Sequence, residues 1–144
     1  MKNNKKGFTL VELLVVIAII GLLSTLAVVA LNNARQKARD ARRVSDVKQI
    51  QTALELYYND EGGYPDTVVT GSAITGATSL VTYMNAVPGN PTPTTDGTLC
   101  GGATGDYTYT MQNTNASYTL DYCLGASTGG IDAGLHKATP AGIQ

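Results

Sequence analysis

The sequence predicts an α+β protein in which one long N-terminal α-helix packs on a small antiparallel β-sheet. Residues 13–34 carry no charged side chain, which is enough for about 33 Å of helix at about 1.5 Å per residue. A helical period of apolar residues follows, with no glycine or proline between Leu22 and Glu61. Two runs of alternating apolar residues in the C-terminal half then predict a pair of strands.

The helix is expected to run from about Phe8 to Asn59 and to end where glycines and a proline follow one another. A helix of this length spans on the order of 78 Å, too long for a compact domain of this size, so its apolar first half is expected to protrude. The helical period of its second half is carried by residues that recur at spacings of three and four: Ala34, Ala38, Ala41, Val44, Val47, Gln51, Leu54 and Tyr58.

The C-terminal part is richer in Thr, Gly, Ser and Asn and loses the helical period. Residues 66–103 are expected to be mostly loop, with one helical turn around residues 79–84. Residues 106–111 and 117–124 are expected to form a β-hairpin joined by residues 112–116. Its apolar face would consist of Tyr107, Tyr109, Met111, Tyr118, Leu120, Tyr122 and Leu124. Three of these tyrosines, with Ile50 and Leu54, predict a small core.

The charges are unevenly distributed along the chain. Its 144 residues contain 10 Lys and Arg and 11 Asp and Glu, a net charge of −1. By segment the charge is +3 for residues 1–7, −1 for 8–34, +4 for 35–48 and −7 for 49–144. This distribution excludes a wholly basic nucleic-acid binder, and two cysteines exclude a disulfide-dense scaffold. No Ser/His/Asp set, phosphate loop or zinc spacing occurs, so no enzymatic activity is expected.

The first residues form a specific motif. A short basic leader ends at Gly7, the aromatic Phe8 follows at once, and Glu12 stands four residues further on at the start of the apolar stretch. The segment from Lys5 to Gly21 thereby resembles type IV prepilins and type II secretion pseudopilins. The resemblance implies that a prepilin peptidase cuts between Gly7 and Phe8 and methylates the new amine of Phe8. It also assigns assembly to Glu12 and Thr9.

Glu12 has a physical reason to act in assembly. An isolated carboxylate in hydrocarbon is costly, and an amine, preferably that of a neighbouring subunit, would offset the cost. Two alternatives stay open at this point. Glu12 could instead lie near the lipid headgroups and interact with the positive end of the helix. The apolar stretch could also be an ordinary signal peptide, for which Val28-Val29-Ala30 is the one candidate cleavage site.

The resemblance implies a division into a leader (1–7), a transmembrane or filament-core helix (8–34), an amphipathic helix (35–61) and a loop-rich β domain (62–144). The function expected is that of a structural subunit of a type IV pilus-like filament. It would be stored as a single-pass inner-membrane protein and assembled by helix packing into a homo-oligomeric filament at the cell surface or in the periplasm. A major pseudopilin of a type II secretion system is the alternative, and an anchored binding or enzymatic domain is a third.

Its expected partners follow from the same resemblance: the prepilin peptidase, an inner-membrane assembly platform, minor pilins and, before assembly, membrane lipid. The basic run of residues 35–43 could meet lipid headgroups or acidic surfaces of neighbouring subunits. Nucleic acid is not favoured as a partner, because no aromatic residues are interleaved with these charges.

The remaining candidates lie in the C-terminal domain. A bridge between Cys100 and Cys123 would stabilise it by roughly 3 kcal/mol, whereas a redox role lacks a CxxC pattern and has only His136 as a base. The resemblance allows calcium, but the candidate ligands reproduce no ligand pattern, so no metal or cofactor is expected. These weak candidates are Asp96, Asp106, Asp121 and Asp132. Asn115 begins a glycosylation sequon, where turn geometry alone also favours Asn.

Overall fold

A computed structural model describes residues 7–94, 100 and 105–144 of the chain. The chain divides into two compact units, one ending at Arg35 and the other beginning at Gln36. Helix α1 runs from Leu10 to Glu61 and therefore contributes to both units. All strands belong to the second unit, and every strand pair is antiparallel. The predicted α+β class is confirmed.

The second unit contains two small sheets. The larger one has the order β3-β4-β5-β6 and the smaller one pairs β1 with β2. The strands are β1 (Ile74–Thr75), β2 (Thr82–Met84), β3 (Thr108–Gln112), β4 (Ser117–Leu124), β5 (Gly134–Thr139) and β6 (Gly142–Ile143). Tyr109 lies opposite Leu120 in the hairpin, and Leu120 lies opposite Ala138 on the other side of β4. The predicted hairpin is therefore extended by two strands that the sequence pattern did not indicate.

The helical turn expected around residues 79–84 is wrong. Residues 82–84 form β2, and the turn before it places Leu80 at a positive φ of 54°. The turn is held by Glu61, the last residue of α1, whose carboxylate accepts hydrogen bonds from the backbone N–H groups of Thr78 (3.0 Å) and Ser79 (2.8 Å). A contact between distant parts of the chain thus overrides the local helical pattern.

The core lies between the second half of α1 and the larger sheet. Four side chains of β4 alternate toward the helix and are at most 4 % exposed: Tyr118, Leu120, Tyr122 and Leu124. They form one cluster with Val47, Ile50, Leu54 and Tyr57 of α1. The predicted core of Ile50, Leu54 and hairpin tyrosines is present. Because its side chains pack directly on α1, β4 has the most completely buried apolar face of the described strands.

The face that α1 buries coincides only in part with the periodic positions, of which Val47 and Leu54 are buried. Ala34, Ala38, Ala41 and Tyr58 are exposed, and Val44 and Gln51 are only half-buried. The buried positions of the helix are Asp40, Arg43, Asp46, Val47, Ile50, Ala53, Leu54 and Tyr57. Three charged residues therefore occupy inward positions that a count of apolar residues assigns to solvent.

A series of tyrosine rings crosses the second unit. Tyr64, in the loop after α1, has its ring centroid 4.7 Å from that of Tyr58 in the helix and 4.7 Å from that of Tyr118 in β4. Tyr118 in turn lies 5.8 Å from Tyr109 in β3. Separations of this size are those of favourable aromatic pairs. The rings join the helix, the following loop and two strands.

Candidate processing and assembly site

The start of α1 is closed by a reciprocal pair of side chains. Thr9 precedes the helix, and its hydroxyl oxygen accepts a hydrogen bond from the backbone N–H of Glu12 at 3.2 Å. The Oε2 atom of Glu12 in turn accepts hydrogen bonds from the backbone N–H of Thr9 (2.8 Å) and from its hydroxyl (2.7 Å). This is a capping box, in which two residues three positions apart satisfy each other's donors.

The capping box leaves part of the Glu12 carboxylate available. Among the described residues, Oε2 accepts both bonds from Thr9, whereas Oε1 accepts none. The side chain is exposed. Glu12 can therefore keep its internal partner and still accept a hydrogen bond or an ion pair from a cation outside its own subunit.

The residues predicted to flank the cleavage site are uncovered. Gly7 and Phe8 lie before the helix, and Phe8 is 89 % exposed. A side chain added at Gly7 would meet no atom within 4 Å. The bond between these residues is thus unobstructed by the described part of the chain.

The first part of α1 presents a continuous apolar surface. Every Leu, Val, Ile and Phe side chain from Phe8 to Leu31 is exposed, from 48 % at Val16 to 89 % at Phe8. The most apolar 18-residue window of the helix has a mean hydropathy of 2.9 and none of it is buried. By length and composition this helix is able to cross a membrane, a property that it shares with signal sequences.

Two polar side chains in this stretch bond to their own helix. The hydroxyl of Ser24 donates to the carbonyl oxygen of Ile20 at 2.7 Å, and that of Thr25 donates to the carbonyl oxygen of Leu22 at 2.8 Å. Their hydrogen-bonding capacity is largely satisfied within the helix, which lowers the cost of placing them in an apolar environment. Glu12 is the one charged residue between Phe8 and Ala34.

A buried ion pair, which the sequence patterns missed, fixes the second unit. Asp40 and Arg43 are 0 % and 1 % exposed, and Arg43 Nη1 donates to Asp40 Oδ1 at 2.6 Å. The other Asp40 donors are the backbone N–H groups of Gly125 (3.0 Å) and Ala126 (2.9 Å). The guanidinium also donates to Asn90 Oδ1 (2.7 Å) and to the carbonyl oxygens of Pro91 (3.3 Å) and Pro93 (2.8 Å).

This ion pair ties two loops to the helix. One is the proline-rich loop before β3 and the other is the turn after β4. Asp40 and Arg43 stand three residues apart on the helix, a spacing that allows an ion pair. This spacing does not indicate burial, because many such pairs are exposed. The basic run of residues 35–43 thus contributes one charge to the interior of its own subunit.

The end of α1 also has bonded carboxylates. Beyond its backbone donors, Glu61 accepts a hydrogen bond from the hydroxyl of Thr78, and these contacts with Thr78 and Ser79 lower the pKa of Glu61 to about 2. The neighbouring Asp60 accepts a hydrogen bond from the hydroxyl of Tyr83 at 2.9 Å. The helix end is therefore attached to the β1–β2 hairpin.

Cys100 and Cys123 are joined by a disulfide bond, with Cα atoms 5.7 Å apart and a sequence separation of 23. The bond attaches the segment before the hairpin to β4. Both cysteines are buried, at 2 % and 7 % exposure.

The remaining candidates take part in local structure. Asp106 accepts the backbone N–H of Asn90, and Asp121 pairs with Lys137 at 3.6 Å. Asp96 lies outside the described residues, and within them no three His, Cys, Asp or Glu side chains form a group that could hold a metal. His136 contacts the carbonyl oxygens of Asp132 and Gln144, and the side chain of Asn115 donates to Asp66.

Comparisons with known proteins support the resemblance on two grounds. Residues 2–28 match the family described as the prokaryotic N-terminal methylation motif. Among curated proteins, the chain is similar to the type II secretion system core protein G of Aeromonas hydrophila, with 41 % identity over 66 residues, covering 46 % of each chain. The corresponding protein of Klebsiella pneumoniae is 36 % identical over 86 residues, which cover 60 % of this chain and 61 % of the relative.

A fimbrial protein also matches. The type IV major fimbrial protein FimA of Dichelobacter nodosus is 42 % identical over 55 residues, 38 % of this chain and 35 % of the relative. The chain spans about half the length of the curated relatives it matches. No solved structure matches it. The predicted similarity to pilins and type II secretion pseudopilins is confirmed.

Proposed function

We propose that this chain, whose N-terminal residues carry the prokaryotic methylation motif, is a structural subunit of a type IV pilus-like helical filament. The observation that carries the proposal is the exposed apolar surface of the first part of α1. Up to Ala34 this part contains one charged residue, Glu12, and it begins with the Thr9–Glu12 capping box. Such a surface requires lipid or other apolar helices around it. The subunit would be stored in the inner membrane and then packed beside copies of itself.

Processing would create the partner that Glu12 needs. Cleavage between Gly7 and Phe8 by a prepilin peptidase would free a cationic amine at Phe8, which the same enzyme would methylate. The amine of a neighbouring copy could then bind Glu12 at Oε1 while Thr9 stays bonded to Oε2. Such an ion pair favours only those helix positions at which the two charges meet. Glu12 and Thr9 would in this way set the register of assembly.

The proposed segments have different tasks. Residues 1–7 would be the leader, 8–34 the membrane-spanning and filament-core part, 35–61 the amphipathic part of the helix, and 62–144 the β domain outside the membrane. An inner-membrane assembly platform and minor pilins would start the filament. No enzymatic role is proposed, in keeping with the names of the relatives as secretion core and fimbrial proteins.

A major pseudopilin of a type II secretion system is the second candidate. It is favoured by the relatives in Aeromonas hydrophila and Klebsiella pneumoniae, which are named as secretion core protein G. Deleting the chain should abolish export of secreted proteins if it is a pseudopilin, whereas it should remove surface filaments if it is a pilin.

The deciding experiment for a filament subunit is to measure the intact mass and the N-terminal sequence of the protein recovered from cell envelopes and sheared material. A chain beginning at methylated Phe8, recovered in sedimentable filaments, is the expected result. A chain beginning at Leu31 would show ordinary signal cleavage and would refute the filament proposal.

Processing is tested by Gly7→Leu, which places a bulky side chain beside the bond to be cut. The leader should remain attached, so that the recovered chain keeps the mass of residues 1–7. Gly21→Leu makes the same change elsewhere in the uncovered helix, where the added Cβ would also meet no atom within 4 Å. This control should be processed normally, and a loss of cleavage in both variants would contradict a specific role of Gly7.

Assembly is tested separately by Glu12→Ala. The variant should be processed, since the bond from Gly7 to Phe8 is unchanged, but should yield at least about tenfold less sedimentable filament, the effect of losing about 1.4 kcal/mol per contact. Ser24→Ala is the matched control, because it removes a polar group that bonds only to its own helix. Normal filament yield from Glu12→Ala would count against the proposed ion pair.

A further inference from the structure

The exposed face of α1 in the second unit has opposite charges at its two ends. Lys37, Arg42 and Lys48 are exposed in its first part, where Asp40 and Asp46 are buried. Glu55 and Asp60 are exposed in its last part, which contains no basic residue after Lys48. We call the exposed positions from Lys37 to Asp60 the charged stripe.

The acidic end of the charged stripe forms no ion pair within the described residues. Glu55 accepts a hydrogen bond from the hydroxyl of Tyr64, and Asp60 accepts one from that of Tyr83, both at 2.9 Å. These donors are neutral. Asp60 also lies in the last turn of α1, where the negative end of the helix dipole makes an acid more costly. A cation from outside the subunit would relieve this repulsion.

The basic end is similarly available. Lys37 and Lys48 form no ion pair within the part of the chain that the structure describes. Arg42 is 66 % exposed and its Nε lies 3.8 Å from Asp46, an ion pair that is weak because water screens it.

The charged stripe is shallowly concave between Arg42 and Glu55. The side chains of Ser45, Gln49 and Thr52 are uncharged there, and a hollow of about 430 Å³ includes these residues together with Ala41, Val44 and the basic Lys48. The longest side chains that line the hollow are those of Lys48 and Gln49.

The spacing of the charges defines a displacement. Lys37 and Glu55 are separated by the same number of positions as Arg42 and Asp60, and this number corresponds to about five turns at about 3.6 residues per turn. The members of each pair therefore lie on the same side of the helix. At about 1.5 Å per residue they are about 27 Å apart along the axis. A parallel copy displaced by about 27 Å brings its basic residues level with the acidic ones.

We propose that the charged stripe is a contact surface for a second copy of this chain, staggered by about 27 Å, with Lys37 and Arg42 of one copy facing Glu55 and Asp60 of the other. The inference rests on the proposed filament function, which requires all copies to point the same way. An antiparallel pair would also match the charges, but it would close as a dimer. The staggered parallel contact leaves one charged end free on each outer copy, so that the assembly stays open to further subunits.

Charge reversal in the full chain tests the proposal. Lys37→Glu/Arg42→Glu makes both ends acidic, and Glu55→Lys/Asp60→Lys makes both ends basic. Each variant alone should be processed but should give roughly fivefold less sedimentable filament, the size expected when weak, water-screened ion pairs are replaced by pairs of like charge. Co-expression of the two variants should restore the yield, because alternating copies again place opposite charges together.

The controls separate charge position from net charge and from folding. Arg42→Glu and Lys137→Glu change the net charge equally, but Lys137 lies in β5 and pairs with Asp121. Only Arg42→Glu should lower the yield. The neutral double variant Glu55→Gln/Asp60→Asn retains the oxygens that accept hydrogen bonds from Tyr64 and Tyr83. A lower yield of filament from this variant would therefore reflect the lost charge and not a folding defect.

The outcomes distinguish this inference from the proposed function. If the unmodified chain forms no filaments, the proposed function fails. If it forms filaments and the reversed variants assemble equally well, or if co-expression does not restore assembly of the folded variants, only the charged-stripe contact is refuted. Flotation with vesicles containing phosphatidylglycerol tests the competing occupant. Loss of vesicle binding by Lys37→Glu/Arg42→Glu without rescue by co-expression would assign the stripe to lipid and overturn the proposal.

Discussion

Replacing Arg43 by methionine removes the charge of a fully buried side chain but retains much of its aliphatic volume. The guanidinium is 1 % exposed and donates hydrogen bonds to Asp40, Asn90, Pro91 and Pro93. In the variant, Asp40 keeps its two backbone donors but loses Arg43, and three acceptor oxygens of the proline-rich loop lose the donor that Arg43 supplies. We expect this substitution to be among the most destabilising in the second unit.

The magnitude follows from the environment of the ion pair. Removing one member of a buried pair typically costs about 3–5 kcal/mol, because the remaining charge is left without its partner. A domain of this size is stable by about 5–15 kcal/mol. Arg43→Met should therefore remove about a fifth or more of the free energy of unfolding. The double variant Asp40→Asn/Arg43→Met should lose less than the two single variants added together, since the same interaction is counted in both.

The neighbouring Arg42 provides a matched control. It is 66 % exposed and 3.8 Å from Asp46, so Arg42→Met should change the free energy of unfolding by at most about 1 kcal/mol. Urea unfolding of the full chain in a non-ionic detergent, followed by the near-ultraviolet circular dichroism of its tyrosines, measures both variants. Equal losses for Arg42→Met and Arg43→Met would refute the structural role of the buried ion pair.

Two further properties can be measured on the same preparation. Cys100→Ser/Cys123→Ser should lower the free energy of unfolding by about 3 kcal/mol, because the disulfide closes a loop of 23 residues in the unfolded chain; a loss below about 1 kcal/mol would contradict this estimate. Burial raises the pKa of Tyr122 to about 12, above its value of about 10 in the unfolded chain. The neutral hydroxyl's contribution to the free energy of unfolding is therefore fully present below about pH 10 and is lost as the pH rises through about 12. Its hydroxyl has no hydrogen-bond partner within the described residues, and Tyr122→Phe should therefore keep full stability at pH 7 and reduce the alkaline loss. Identical pH profiles of the free energy of unfolding for Tyr122→Phe and the unmodified chain would show that this hydroxyl does not contribute.

The sequence was most informative where one physical effect dominates. The helix was expected from Phe8 to Asn59 and runs from Leu10 to Glu61, because no proline lies within it, no glycine lies between Leu22 and Glu61, and glycines follow its end. The strand from Ser117 to Leu124 was predicted correctly, because alternation of buried and half-buried residues is strong in a strand with one covered face.

The sequence was least informative where residues far apart in the chain satisfy one another. The inward positions of Asp40 and Arg43 depend on backbone donors at residues 125 and 126 and on carbonyl oxygens of a proline-rich loop. The β1–β2 hairpin depends on the carboxylate of Glu61. Charge and propensity rules treat each segment separately, so neither arrangement has a local signature. The capping box at Thr9 and Glu12, in contrast, is local and could have been recognised from its spacing.

The linked tyrosine rings have a consequence for how the second unit opens. Tyr64 contacts both Tyr58 and Tyr118, so the loop after the helix cannot detach without exposing a ring on α1 and another on β4. Tyr118 extends the same dependence to Tyr109 in β3. Partial opening of any one of these elements therefore exposes the aromatic surface of its neighbours. Amide hydrogens of the helix end and of the two strands should accordingly exchange with solvent at similar rates, as those of a single cooperative unit.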